Sequence, residues 1–135
     1  YRLPNSPWPS WKKEYGAQIK SVIICHGVAS VGTKAFCDCR ELKSVVLPTS
    51  VKIIGTCAFG GCSSLTSIVI PPSVTYIRSY AFCNCSSLKT IIIPRSIHEI
   101  DLEVFDCCFQ LETVFVPEGH QYHLDGCTSG TTIDY

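Results

Sequence analysis

The 135 residues carry eleven basic and eleven acidic side chains, and 46% are apolar against 16% charged. That balance supports one domain with a packed interior, and it lacks the basic footprint that neutralising nucleic-acid phosphates requires, so no nucleic-acid partner is expected. No apolar stretch approaches the ~18 residues of a membrane span, so no membrane insertion is expected either. The chain begins at Tyr1 and contains no methionine; the start of translation, with any secretory signal, is expected upstream.

Residues 1–18, with Trp8, Pro9, Trp11 and Tyr15, are expected to form an amino-terminal cap. From residue 19 to 117 a strict 23-residue period takes over. It carries Ala35-Phe36, Ala58-Phe59, Ala81-Phe82 and Val104-Phe105, and with them Cys39, Cys62, Cys85 and Cys108. Leu42, Leu65, Leu88 and Leu111, and Pro48, Pro71, Pro94 and Pro117, keep the same step. A fixed period of this length marks units that stack on one another and share a continuous core. Five short β-branched runs, at 19–24, 42–47, 65–70, 88–93 and 111–116, read as strands bounded by turn residues. The ~17 residues between them are too long for hairpin turns, so the strands run parallel on one side of a coil. The proline after each strand has no N–H and ends the ladder at a fixed point. Residues 118–135 break the period and read as an irregular tail or partial cap.

Alternation assigns the faces of each strand. Ile68 and Ile70 share the inner face with Leu65, Val74, Ile77, Ala81, Phe82 and Cys85, whereas Ser67 and Val69 point outward. Phenylalanines 36, 59, 82 and 105 are expected to form one stack through the coil.

Residues 65–87, Leu-Thr-Ser-Ile-Val-Ile-Pro-Pro-Ser-Val-Thr-Tyr-Ile-Arg-Ser-Tyr-Ala-Phe-Cys-Asn-Cys-Ser-Ser, resemble the leucine-rich repeat of the BspA and Treponema type, and residues 19–117 fit it. The segment from Ser6-Pro7-Trp8 through Ile24 also resembles the lead-in of such arrays in bacterial surface proteins. The last full copy departs from the pattern: Val104 replaces alanine, Asp101 stands in the column of Gly55, and Gly119-His120 replaces serine-valine. The resemblance implies a leucine-rich-repeat solenoid, a right-handed coil with a short parallel β-sheet on its concave face and mostly irregular or short helical return segments. It further implies a non-enzymatic, extracellular or cell-surface protein, in some members an adhesin for matrix proteins or other cells.

Ten cysteines invite a disulfide framework, a metal site or buried thiols. Stacked coils hold the column 39, 62, 85, 108 at ~4.8 Å with parallel side chains, whereas a disulfide wants Cβ atoms ~3.8 Å apart and converging. The thiol ladder is the favoured reading. Cys37 and Cys83 share a column with Gly60 between them, and Cys57 has Lys34 and Tyr80 as column neighbours. Zinc needs four converging donors; neither Cys37-x-Cys39 nor Cys83-x-Cys85 supplies them, and His120, His123, Asp125 and Cys127 match no closed module. No metal or cofactor is expected. None of the four histidines adjoins a nucleophile turn, Asp101, Glu103 and Asp106 read as a solvated face, and Gly60-Gly61 lacks the lysine of a phosphate loop. No enzyme is expected.

The outward strand face is the remaining candidate. Ser21, Ser44, Ser67, Thr90 and Thr113 form one column, and Ile23, Val46, Val69, Ile92 and Phe115 the next. Plain β-propensity accounts for such residues as readily as binding does, but five adjacent apolar side chains would make a stripe ~20 Å long. Lys20, Lys43, Lys89 and Glu112 flank it. A protein partner on this face, such as a matrix or cell-surface protein, is the expectation; a structural array that associates with itself through its open ends and edge strands is the alternative.

Overall fold

The structure, a computed structural model, describes residues 10–122, 124, 127 and 131–134. Trp8 and Pro9 of the expected cap, and His123 and Asp125 of the tail, lie outside the described residues. The chain is a parallel β-solenoid of about five turns, beginning at residues 19, 42, 65, 88 and 111, with one short helix, α1 (Ser10–Tyr15), before the first. Lys12 ties α1 to the coil by donating from Nζ to the Lys34 carbonyl at 2.8 Å.

The strand side carries β1 (Ser21–Ile23), β3 (Ser44–Val46), β6 (Thr90–Ile92), β8 (Thr113–Phe115) and β9 (Thr132–Asp134). All ladders are parallel, with Ser21 on Ser44, Thr90 on Thr113 and Thr113 on Thr132. Two features differ from the sequence expectation. Residues 65–70 keep the inward–outward alternation but join no ladder, so the strand side divides into β1-β3 and β6-β8-β9. The return path, expected to be mostly irregular or helical, carries a second parallel sheet of two-residue strands. These are β2 (Ser30–Val31), β4 (Ile53–Ile54), β5 (Tyr76–Ile77) and β7 (Glu99–Ile100), hydrogen-bonded in that order. Each begins with an outward residue and ends with a buried one, a minimal expression of strand alternation.

Each turn closes at a tight corner after the return strand. Two columns there take left-handed backbone: Lys34, Cys57, Tyr80 and Glu103, with φ between 53° and 60°, and Asp38, Gly61, Asn84 and Cys107, with φ between 55° and 75°. Inter-turn bonds lock the corner, since Phe36, Phe59 and Phe82 donate from their N–H groups to the carbonyls of Ala58, Ala81 and Val104 at 2.7, 2.9 and 3.0 Å. Each strand-end proline accepts the N–H of the residue three positions on, for example Val74 on Pro71 at 3.1 Å, which bends the chain out of the strand.

Thirty-three apolar side chains fill the interior, and no polar one is buried among the described residues. The phenylalanine stack runs through it as expected: ring centroids of Phe36, Phe59, Phe82 and Phe105 are 5.6, 5.6 and 6.0 Å apart, with planes within 10°. Tail residues Tyr122, Leu124 and Cys127 pack against the core, and the Tyr122 hydroxyl donates to the Ile97 carbonyl at 2.9 Å.

Truncating Phe82 to alanine opens a hole in the middle of this stack and is expected to cost roughly 3–5 kcal/mol. Val69→Ala, on the solvent side of the same turn, should change stability by no more than about 0.5 kcal/mol. Urea denaturation of the two variants checks the difference, and equal losses would mean the strand faces are reversed.

Candidate functional site

The strand side presents the predicted apolar column to solvent. Relative exposures are 75% for Ile23, 56% for Val46, 81% for Val69, 66% for Ile92 and 40% for Phe115, while the residues on either side of each in sequence point inward. Register makes Ile23 the neighbour of Val46 and Ile92 the neighbour of Phe115. Val69 stands between the two pairs on the unladdered segment. The column ends in a carboxylate, because β9 places Asp134 beside Phe115.

The flanking charges fall where their columns put them. The Lys43 N–H donates to the Lys20 carbonyl and the Glu112 N–H to the Lys89 carbonyl, each at 2.8 Å, so these exposed residues line one margin of the stripe as neighbours. Adjacent turns lie ~4.8 Å apart, which makes the whole stripe ~20 Å long. Isolated exposed apolar residues are ordinary on a protein surface; here five stand in one row.

The opposite, return-arm surface has a different character. Arg78 lies over the Tyr76 ring at 5.0 Å from its centroid and pairs with Asp101 at 3.8 Å. Asp101 also accepts the Ser79 N–H at 3.2 Å, so its place in the glycine column is filled by a corner bond. These contacts satisfy one another. At the amino-terminal end, a cavity of about 420 Å³ opens onto the first turn between Ile19, Val22, Ile24, Val28, Val31 and Phe36.

The column cysteines are buried thiols. Cys62, Cys85 and Cys108 donate from Sγ to the carbonyls of Phe36, Phe59 and Phe82 at 3.2, 3.2 and 3.0 Å, one turn back. Each thiol therefore satisfies a corner carbonyl while filling apolar space. Burial pushes all three upward, Cys108 to about 12 and Cys62 and Cys85 well above the ordinary range. Among the described residues no three His, Cys, Asp or Glu side chains converge as a metal site.

Residues 14–133 match the model of the BspA type leucine-rich repeat region, in six copies. The chain belongs to this family. A leucine-rich-repeat protein of T. pallidum is 39% identical, with a TM-score of 0.71 over 76% of this chain and 50% of that one. A leucine-rich cell surface protein of Faecalibacterium prausnitzii is 35% identical, with a TM-score of 0.79 over 87% of this chain and 32% of that one. A leucine-rich-repeat protein of Bacteroides ovatus is 34% identical, with a TM-score of 0.78 over 87% of this chain and 30% of that one. The chain thus spans half or less of the length of these structures. No curated protein matches it. Arrays of this kind are general protein-interaction scaffolds.

The stripe is legible in the sequence because it lies on a 23-residue column. The bonds from the Cys62, Cys85 and Cys108 thiols to carbonyls 26 residues back are not legible in the same way, because they cross between columns.

The raised thiols make stability pH-dependent in a definite direction. The folded chain holds protons that free thiols, with an ordinary value of 9.0, release. The contribution is therefore intact below about pH 9 and is lost as pH climbs from 9 through 12. The urea midpoint should fall between pH 8 and pH 10; a constant midpoint would mean that the thiols ionise freely in the fold. Under neutral conditions, denatured but unreduced protein should titrate with at least six free thiols, and four or five disulfides by mass would contradict the ladder.

Proposed function

We propose that this chain is a non-enzymatic protein-binding module of a cell-surface protein, engaging a matrix or cell-surface protein through its concave strand face. The observation that carries the reading is the exposed row of Ile23, Val46, Val69, Ile92 and Phe115. An apolar row with polar margins suits a partner that lays side chains across several turns: burying the row supplies affinity, and Lys43, Lys89 and Glu112 supply register. The cell-surface description of the F. prausnitzii relative supports the location. The chain has no helix long and apolar enough to cross a membrane among the described residues.

A second reading, self-association through the ends, draws support from the apolar cavity at the first turn and from β9, which stands at the other edge of its sheet. End-to-end contact between unlike surfaces is heterologous and extends into filaments unless it closes.

Binding to an immobilised panel of extracellular-matrix proteins and to intact cells tests the first reading. The double variant Val69→Asp, Ile92→Asp should lose binding at least a hundredfold while its Tm stays nearly unchanged, because carboxylates are costly only when the interface desolvates them. Arg78→Ala with Tyr80→Ala, on the return arm, should bind normally. The reverse pattern would place the site on the convex side. Concentration-dependent association in sedimentation, with no binding to any panel member, would favour self-assembly.

A further inference from the structure

The outward apolar row has a step, and the step selects the shape of what can lie along it. On the corner side the phenylalanine rings are spaced 5.6, 5.6 and 6.0 Å per turn, and on the strand side laddered chains lie ~4.8 Å apart. An α-helix advances about 5.4 Å per turn, between the two values. Laid along the coil axis, a helix sets one of its turns against one turn of the solenoid, and over the four steps of the row it drifts by only about 2.4 Å. Alternate residues of an extended strand are about 6.6 Å apart and drift by about 7 Å over the same row.

The flank of the row is low. Ser21, Ser44, Ser67, Thr90 and Thr113 stand two residues before it, about 6.6 Å away on the same face, and beyond them come the exposed stems of Lys20, Lys43 and Lys89. Short side chains between an aliphatic row and long cationic ones leave a trough that runs along the axis.

Charge is graded along that axis. Lysines occupy one margin column in the first, second and fourth turns, and Glu112 takes the column in the fifth. Asp134 extends the apolar column beside Phe115. Across the row, exposed Arg95 and Glu118, three residues after Ile92 and Phe115, show the same change of sign. Glu41, the acid nearest the lysine end, adjoins exposed Arg40. The amino-terminal end of the face is therefore cationic and its far end anionic.

We propose that the partner presents an amphipathic α-helix to this face, antiparallel in charge to the array. Its apolar residues, at i, i+4, i+7, i+11 and i+14, fall on the five-residue row. Acidic residues near its C-terminus meet Lys20 and Lys43, and basic residues near its N-terminus meet Glu112 and Asp134. The helix dipole favours the same direction, because the C-terminal carbonyls then face the lysines. This inference rests on the concave-face reading above and names the shape and polarity of the partner.

The test uses three synthetic peptides of about 18 residues, ~27 Å long when helical. The first carries leucine at the five apolar positions, lysines in its first turns and glutamates in its last. The second is the same sequence with two central residues replaced by their D-enantiomers, which breaks the helix without changing composition. The third exchanges the charges between the two ends. Calorimetric titration into the intact chain should give a Kd for the first peptide at least tenfold lower than for the other two, with methyl NMR shifts at Val46, Val69 and Ile92. Lys20→Glu with Lys43→Glu should reverse the preference between the first and third peptides. Equal affinity for the first and second peptides would overturn the helix, and equal affinity for the first and third would overturn its direction. Failure of every peptide, with matrix-panel binding still abolished by Val69→Asp and Ile92→Asp, would overturn the helix and leave the concave face standing. Shifts confined to the return arm would overturn both.

Discussion

The hydrogen bond from one turn's backbone to the next is the interaction on which the rest of this molecule depends. Donors at the corners reach forward, as from Phe36 to Ala58, and donors at the strand entries reach back, as from Lys43 to Lys20. Each turn is therefore held by both neighbours, and a backbone group left unpaired inside the coil would cost ~1–3 kcal/mol. Equal length follows, because one inserted residue would shift every later donor off its acceptor. Stacked side chains follow too: once the backbone repeats, residue 36 has no choice but to lie on residue 59.

That geometry makes every surface feature a column. The phenylalanine stack, the thiol ladder and the outward apolar row are three readings of one register, differing only in the direction the side chain points. Evolution on such a scaffold acts by choosing what each column carries. Here the outward face combines apolar residues with lysines along one margin, while the return arm uses Arg78, Tyr76 and Asp101 to satisfy one another. A surface with satisfied charges keeps its solvation; a row of exposed aliphatic side chains gains by losing it.

Period, strand faces and interior were legible in the sequence because Leu65, Ile68 and Ile70 can be buried together in only one way along a pleated strand. The second sheet was not, since pairs such as Ile53-Ile54 and Glu99-Ile100 are too short for alternation to register. Nor was the missing ladder at 65–70, whose residues have the same chemistry as their paired counterparts at 88–93. Strand β9 escaped because Thr132 pairs with Thr113 after 19 residues instead of 23. The thiol-to-carbonyl bonds of Cys62, Cys85 and Cys108 were hidden for a related reason: column arithmetic finds only neighbours at the full period, and these bonds join residues 26 apart.

The unladdered segment has a mechanical meaning. On the strand side, residues 65–70 make one inter-turn backbone bond among the described residues, from the Lys89 N–H to the Thr66 carbonyl at 3.3 Å, whereas the return-arm sheet runs through the same turn without interruption. Stiffness is thus unequal across the coil: the spine is continuous and the front is in two panels. Bending that spreads the panels meets least resistance at Val69, the most exposed residue of the apolar row. The middle of the apolar row coincides with the crease of the scaffold, so the curvature of the row is set at its most exposed residue.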